Sequence, residues 1–456
     1  MADTHPRDMR ESALDELDAT LPRTPNVTSG TKSPRGDTTA IRALSAHYPL
    51  PWRSIIKNAL ILWIVTRLSY ILLTYLANGL PLSPGGLKAG PGFFGVWQRF
   101  DTNWYLDIAT KGYAIVQDVA FFPLYPALIR VFMLVTGGNA LIAALIVGNL
   151  GTLAALIGLG ALVAWETRDA EQVPWAMLLA LAFPFAFFFT TAYTEGLFLA
   201  LAIFCLFFAR REQWGWAALC ALLAGASRPT GVILIPPLAW EWLRQNGLTN
   251  LDFWRAQLHE PAAALGAVWR RVWAAQRQHW IGLLSIVAVP AFYAGFVVFV
   301  GIRFQHPSYV FNVHRDYWGI ESAPIWETAY REITHIFLAP FASDTQVVMV
   351  LDTMTFLVVL GLVIAFWRST PGLYNLYMLA LLYLSIAQPT IIGIETNSGV
   401  QVLNSVGRFL LPAFPLFMAL SPYIRKRPAL LYALVIVSVL IQSYVALRFM
   451  TGVLFE

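Results

Sequence analysis

IIKNALILWIVTRLSYILLTYLANGL, Ile55 to Leu80, decides the class of this chain. An apolar run of about 20 residues is enough to cross a hydrocarbon core of roughly 30 Å, and beyond Lys57 at its start this run carries one charge, Arg67, near its middle. Comparable runs recur near Phe121 to Val135, Leu141 to Trp165, Trp175 to Phe189, Glu195 to Ala209 and Ala217 to Leu238. After a break they continue at Trp280 to Val300, Val347 to Trp367, Leu373 to Ile392, Phe409 to Tyr423 and Ala429 to Leu447. The pattern predicts an all-α polytopic membrane protein, a helical bundle with about ten or eleven spans. Composition agrees: 57% of residues are hydrophobic and 12% charged, with a mean hydropathy of +0.60, whereas soluble domains carry roughly a quarter charged residues. The short alternation of a strand is absent, which excludes a barrel. No 20–50 residue repeat and no pair of equivalent halves is visible.

Outside the spans the chain is organised by charge. Residues 1–53 begin with a polar stretch, Met1 to His47, that lacks apolar periodicity and reads as a disordered cytoplasmic tail. No cleavable signal peptide opens it, so the first helix acts as the signal anchor. Residues 54–456 read as one transmembrane domain with three long inter-span segments: 81–120, 244–279 and 303–346. The second carries Arg255, Arg270, Arg271 and Arg277, with Trp269, Trp273 and Trp280 at roughly helical spacing, and reads as an amphipathic helix on the cytoplasmic surface. Basic residues at span ends orient a membrane protein. Placing the tail, the Arg-rich segment and Arg425 to Arg427 inside puts 81–120 and 303–346 on the outer side. Arg210 and Arg211 fit that arrangement poorly. The net charge of +5 is thus an orientation signal and no sign of nucleic-acid binding. Cys205 and Cys220, the only cysteines, lie in apolar stretches and read as packed thiols.

Chemistry concentrates in the first outer segment, RFDTNWYLDIATKGY (Arg99 to Tyr113), followed by AFFPLYPALIR (Ala120 to Arg130). The stretch from Asp101 to Ala109 predicts a short helix. Asp101 then reads either as its N-cap or as a carboxylate placed to take a proton from a hydroxyl, and the two roles are compatible. Asp107, six residues on, reads as a supporting or solvent-facing residue. A second group is the charges within apolar spans: Arg67, Glu195, Arg228 and Arg408. An arginine at the centre of a membrane helix costs at least about 2.5–3.5 kcal/mol on insertion scales, so each needs a partner. Mutual pairing, of Arg67 or Arg228 with Glu195, is one solution; a phosphate bound at the membrane surface is another, matched to the guanidinium fork. His306, His314 and Asp316 form a third group, but no HxxxH or HExxH spacing occurs and no metal site is expected. No Walker A, GxGxxG or GxSxG context is present, which leaves nucleotide-driven and α/β-hydrolase chemistry without support.

These residues carry a resemblance. RFDTNWYLDIATKGY with AFFPLYPALIR is similar to the signature of the PIG-V-type mannosyltransferases, the group that includes the second mannosyltransferase of GPI-anchor assembly and its prokaryotic relatives. The likeness continues through Phe187 to Arg211, Ala226 to Leu243, HPSYVFNVHRDYWG (His306 to Gly319) and SVGRFLLPAFPLF (Ser405 to Phe417). It departs at Phe100, where the family usually has Trp, and at His314, where relatives carry Gln. The resemblance implies a GT-C fold with its active site at the extracytoplasmic face. It also implies a polyprenyl-phosphate sugar donor, typically mannose, a lipid-linked or glycan acceptor, inversion at the anomeric carbon, and no cofactor. Asp101 would be the general base. Arg67, Arg99, Tyr105, Asp107, Tyr113, Glu195, Arg228, His314 and Arg408 would line the substrates, the arginines serving the lipid phosphate. The membrane would be the plasma membrane of a prokaryote or the endoplasmic reticulum of a eukaryote. The rival readings are a transporter or flippase of a lipid-linked sugar, and an inactive scaffold subunit of a glycan-assembly complex.

Overall fold

The computed structural model describes residues 48–453 apart from 84, 85, 87, 250–260, 321, 388, 390–401 and 404. The expected tail, Arg255 and the end of the Leu373 to Ile392 span lie outside the described residues. The chain divides into Met1–Tyr48 and Pro49–Glu456, and all that follows concerns the second unit. Among the described residues it is built of sixteen α-helices with short 3-10 turns and no strand. In chain order they are α1 (Trp52–Asn78), α2 (Asp101–Lys111), α3 (Leu124–Phe132), α4 (Ala140–Thr167), α5 (Val173–Leu181), α6 (Glu195–Arg210), α7 (Trp214–Ser227) and α8 (Ile235–Gln245). There follow α9 (Pro261–Phe304), α10 (Tyr309–Trp318), α11 (Ile325–Leu338), α12 (Asp344–Phe366), α13 (Gly372–Ile386), α14 (Val406–Phe409), α15 (Phe414–Arg425) and α16 (Pro428–Met450).

Five segments are long and apolar enough to cross a membrane: α1, α4, Trp280–Phe304 of α9, Gln346–Phe366 of α12, and α16. Leu68 and Leu72 on α1 and Ile436 and Leu440 on α16 stand largely exposed, which suits a lipid-facing surface. The chain is an integral membrane protein.

Side-chain contacts define two ends of the bundle. At one, Ile55 of α1 lies against Gly160 of α4, Arg210 of α6 pairs with Glu166 of α4, and Arg425 of α15 pairs with Asp169. At the other, Arg99 donates to the Met450 carbonyl at the end of α16 and Arg303 of α9 donates to the Tyr113 carbonyl. Here Arg408 also joins Asp101 of α2 to Glu195 of α6. Helices α4 and α6 therefore run in the same direction, towards the Ile55 end. Glycines let their backbones meet, since a Cβ on Gly151 would lie 2.6 Å from the Leu197 nitrogen.

Two expected spans take another form. Phe121 to Val135 yields only α3, nine residues or roughly 14 Å of helix, about half a bilayer core. Pro123 and Pro126 sit at its start, Gly137 and Gly138 turn the chain at φ +61 and +84, and the Tyr125 hydroxyl donates to the Ala144 carbonyl at 2.8 Å. Thus α3 folds back on the first turns of α4 and does not cross the bundle. This shift of one crossing removes the misfit of Arg210 and Arg211, which now lie at the Ile55 end with Arg53 and Arg425.

Trp175 to Phe189 likewise forms only the nine-residue α5 and then a buried, broken stretch with a 3-10 turn at Ala186–Phe189. Unpaired carbonyls within a membrane protein need donors, and side chains supply them. The Phe189 carbonyl accepts from Arg67 Nη2 and from Thr152 Oγ1, each at 2.7 Å, and the Thr190 carbonyl accepts from Asn149 Nδ2 at 3.2 Å. In the Arg244 to His279 region, the described part from Pro261 onward is the start of α9, one helix of 44 residues that continues into the span. Cys205 and Cys220 are buried free thiols.

Candidate active site

Helix α2 starts abruptly. Phe100 occupies its N-cap position at φ +45, and no side chain caps the helix. The capping role expected of Asp101 is therefore not used. Asp101 is the first helical residue, and its Oδ2 accepts from Arg408 Nη2 at 2.8 Å. A carboxylate in the first turn is also favoured by the helix dipole.

Arg408 comes from the short helix α14, and its Nε donates to Glu195 Oε1. The same Glu195 oxygen accepts from Arg228 Nη1. Arg228 stands where α7 ends, with φ −153 and ψ 149, because the residue before a proline, here Pro229, is driven out of helical geometry. The guanidinium of Arg408 lies 4.5 Å from the Tyr193 ring centre and 5.4 Å from that of Phe188. Arg228 lies 5.6 Å from the Phe409 ring centre. Aromatic faces and opposite charges together lower the cost of taking two guanidiniums out of water.

The four charges formally cancel, and they are unequally buried. The side chains of Glu195, Arg408 and Arg228 are 0%, 7% and 9% exposed, while that of Asp101 is 20% exposed. Asp101 is the member that meets the outside. Around the cluster, Glu195 Oε2, the Tyr193 hydroxyl and the Thr194 hydroxyl are buried without a hydrogen-bond partner. Polar atoms left open in this way are uncommon in native interiors.

An aromatic wall stands beside Asp101. Tyr105, one turn along α2, is buried against Tyr125 and Phe121, with ring centres at 5.0 and 5.2 Å. Burial pushes its phenol well above the usual range, and the Asp101 carboxylate adds to the shift. Trp104 stacks on Phe121 at 5.6 Å and meets Trp318 of α10 edge-on at 5.8 Å. His314, one turn before Trp318 and 6.0 Å from it between ring centres, is half-buried. Burial holds its imidazole below the ordinary value, against an opposing pull from Asp101.

Of the residues singled out in the sequence, the structure thus gathers Asp101, Tyr105, Glu195, Arg228, His314 and Arg408. Four others serve elsewhere. Arg67 bonds to neutral groups, the Asn149 side chain at 2.5 Å and the Phe189 carbonyl at 2.7 Å, and Glu195 is not its partner. Arg99 is buried and donates to the Met450 carbonyl at 2.7 Å, one of the carbonyls a helix end leaves open. Tyr113 donates to the Phe121 carbonyl at 2.6 Å and pins the loop. Asp107 is exposed and pairs with Lys111 at 2.8 Å. Conversely, Tyr193 and Thr194 were not singled out. Their signal was present as TTAYTE, a polar break inside an apolar run that ends on Glu195.

Comparison with known proteins adds one likeness. No family model and no curated protein matches the chain. Its fold is similar to the crystal structure of ArnT from Cupriavidus metallidurans bound to undecaprenyl phosphate, at 12% identity and a TM-score of 0.45 over 80% of this chain. The chain spans 60% of the length of that protein. At this distance the likeness is loose, and the geometry at Asp101 has to carry the functional reading.

Proposed function

We propose that the chain is a membrane-embedded glycosyltransferase that moves a sugar, mannose on the resemblance of its motifs, from a polyprenyl-phosphate donor to a lipid-linked or glycan acceptor. The observation that carries this reading is Asp101, a carboxylate partly open to the outside and fixed by a guanidinium that is itself fixed by a buried glutamate. Its location at the end of the bundle opposite Arg53, Arg210 and Arg425 fits an extracytoplasmic site, because basic residues mark the cytoplasmic side.

In this reading the acceptor hydroxyl gives its proton to Asp101 as its oxygen bonds to the anomeric carbon. The bond from that carbon to the lipid phosphate oxygen breaks on the opposite face, which inverts the centre. Charge bookkeeping explains the arginines. Before transfer, Arg228 and Arg408 balance Asp101 and Glu195. Once Asp101 is protonated, one positive charge is uncompensated, at the moment when negative charge grows on the leaving phosphate. A fixed cation at about 4 Å in a surrounding of effective dielectric 20 is worth about 4 kcal/mol before desolvation, and such pre-set charge is a large part of many catalytic effects. Glu195 keeps both arginines in place throughout.

The test is transfer itself. Purified protein incubated with labelled polyprenyl-phosphate mannose and a membrane lipid extract is expected to yield a labelled product that Asp101→Asn does not form. Absence of product from wild type with this and other polyprenyl-phosphate sugars would sink the reading.

A further inference from the structure

Two buried carboxylates on α11 and α12 lie outside the cluster just described and pair with no cation among the described residues: Glu332 and Asp352, exposed by 2% and 0%. Burying acids is costly unless hydrogen bonds repay it, so their acceptor atoms deserve a reason. Both reach the backbone around Arg408. Glu332 Oε2 accepts from the Leu403 amide at 3.1 Å, and its Oε1 from the Thr353 hydroxyl at 3.1 Å. Asp352 Oδ1 accepts from the Gly407 amide at 2.7 Å, while its Oδ2 is buried without a partner. Between the two amides, Ser405 is held at φ +60 and ψ 36, a left-handed conformation that is unfavourable for a residue with a side chain. Next to it Gly407 is pressed against the Phe185 ring, where any Cβ would collide. A turn that is strained and pressed on one side keeps its shape only if something grips it.

We propose that Glu332 and Asp352 are positioning residues, which by accepting the Leu403 and Gly407 amides hold the turn that presents Arg408 to Asp101 and Glu195. The proposal rests on the transfer reading for its consequence, though not for its geometry. Carboxyls suit the task because the grip survives protonation. Burial pushes Glu332 up to about 7, with the Leu403 amide and Thr353 hydroxyl opposing, and a neutral carboxyl still accepts through an oxygen. An amide side chain of the same shape should therefore replace either acid.

The experiment uses the full chain in lipid nanodiscs and combines amide hydrogen exchange with a mutant cycle. Glu332→Ala and Asp352→Ala are expected to speed exchange of the Leu403 and Gly407 amides while leaving peptides of α2 unchanged; Glu332→Gln and Asp352→Asn are expected to keep most of the protection. Transfer should fall on the order of tenfold in the alanine variants and recover to within about threefold in the amide ones. In an Arg408→Lys background, Glu332→Ala should cost less than about twofold more, because its effect passes through Arg408. Losses that add fully in the double variant, or unchanged exchange at Leu403 and Gly407, would overturn the proposal. Should the alanine proteins not fold, Thr353→Val removes only the hydroxyl that steadies Glu332 and must still speed exchange at Leu403. If wild type transfers no sugar, the transfer reading fails while the exchange arm still decides the grip. If Asp101→Asn abolishes transfer but exchange does not respond, only the grip is lost.

Discussion

Both ends of the bundle bury arginines among carboxylates, and they do so in different ways. At the Ile55 end, Arg210 forks onto both oxygens of Glu166 at 2.6 and 2.9 Å, and Tyr374 donates to Glu166 at 2.8 Å. Next to it, Glu241 accepts from Arg244 at 2.8 and 2.5 Å and from Gln245 at 2.9 Å. Each carboxylate oxygen there has a donor, and the bonds tie α4, α6, α8 and α13 together. At the Asp101 end, one oxygen of Glu195 serves two guanidiniums while the other, with the Tyr193 and Thr194 hydroxyls, has no partner. A cluster that closes its hydrogen bonds is a clamp, whereas the Asp101 cluster keeps buried acceptor and hydroxyl groups beside a partly open carboxylate.

The largest expected effect separates the two at the open end. Asp101→Asn preserves size and can still accept a bond from Arg408, yet it cannot take a proton. General-base assistance is typically worth about 10²–10⁴-fold, so transfer in a single-turnover assay should fall by at least about a hundredfold, with thermal stability near that of wild type. A near-wild-type rate on folded protein would reduce Asp101 to an anchor for Arg408 and erase the contrast.

Next in size is the closed end. Arg210→Ala strands Glu166 and weakens the hold on Glu241. Breaking a buried pair typically costs about 3–5 kcal/mol, and since the Arg210 side chain is 19% exposed the lower end applies. Thermal or denaturant unfolding should report that loss, while transfer per folded molecule stays within about twofold, because Arg210 lies at the end of the bundle remote from Asp101. Lost transfer with unchanged stability would mean that the clamp, too, takes part in function.

How far these clusters could be read from the sequence differs for physical reasons. Span length and apolarity announce α1, α4, α9, α12 and α16 without help, because a bilayer demands them. The broken stretch after α5 was announced only faintly, by Pro184 and the polar TTAYTE within an otherwise apolar run, and Arg67, Asn149 and Thr152 satisfy the Phe189 and Thr190 carbonyls that the break leaves open. The pairing of Arg228 with Glu195 was one of two options that a buried charge leaves open. The bridge from Arg408 to Asp101 joins residues 307 positions apart, and no spacing rule reaches that far. Glu332 lies outside any expected span and looks like an ordinary acid until the amide it holds is seen, whereas Asp352, inside the Val347 to Trp367 span, carried the signal of a buried charge and was not singled out.

A smaller effect is expected at His314, and it depends on pH. Burial lowers its imidazole below the ordinary value, which is about 6.5 in an unfolded chain. Above that value both states are neutral and the contribution is fully present. As pH falls below it, the unfolded chain binds the proton first, so stability is lost progressively towards the native value. His314→Gln should flatten the acid limb of a melting-temperature profile and leave it unchanged above neutral pH. An identical acid limb in the variant would show that the His314 imidazole is not held below its ordinary value in the folded protein.

The smallest expected effect falls on the other carboxylate of α2. Asp107 lies six residues beyond Asp101, which at 100° per residue places it about 240° round the helix. There it pairs with Lys111 on an exposed face, with a side chain 57% exposed. An exposed pair at this spacing is worth about 0.3–0.5 kcal/mol, so Asp107→Asn should change transfer by less than about twofold and barely move the melting temperature. The two acids share one helix and one sequence block, and differ only in the face they present. If Asp107→Asn slowed transfer as much as Asp101→Asn, substrate would have to contact the outer face of α2 as well. The functional end would then be a surface spread across the whole helix, and the buried cluster behind Asp101 would lose its claim to organise it.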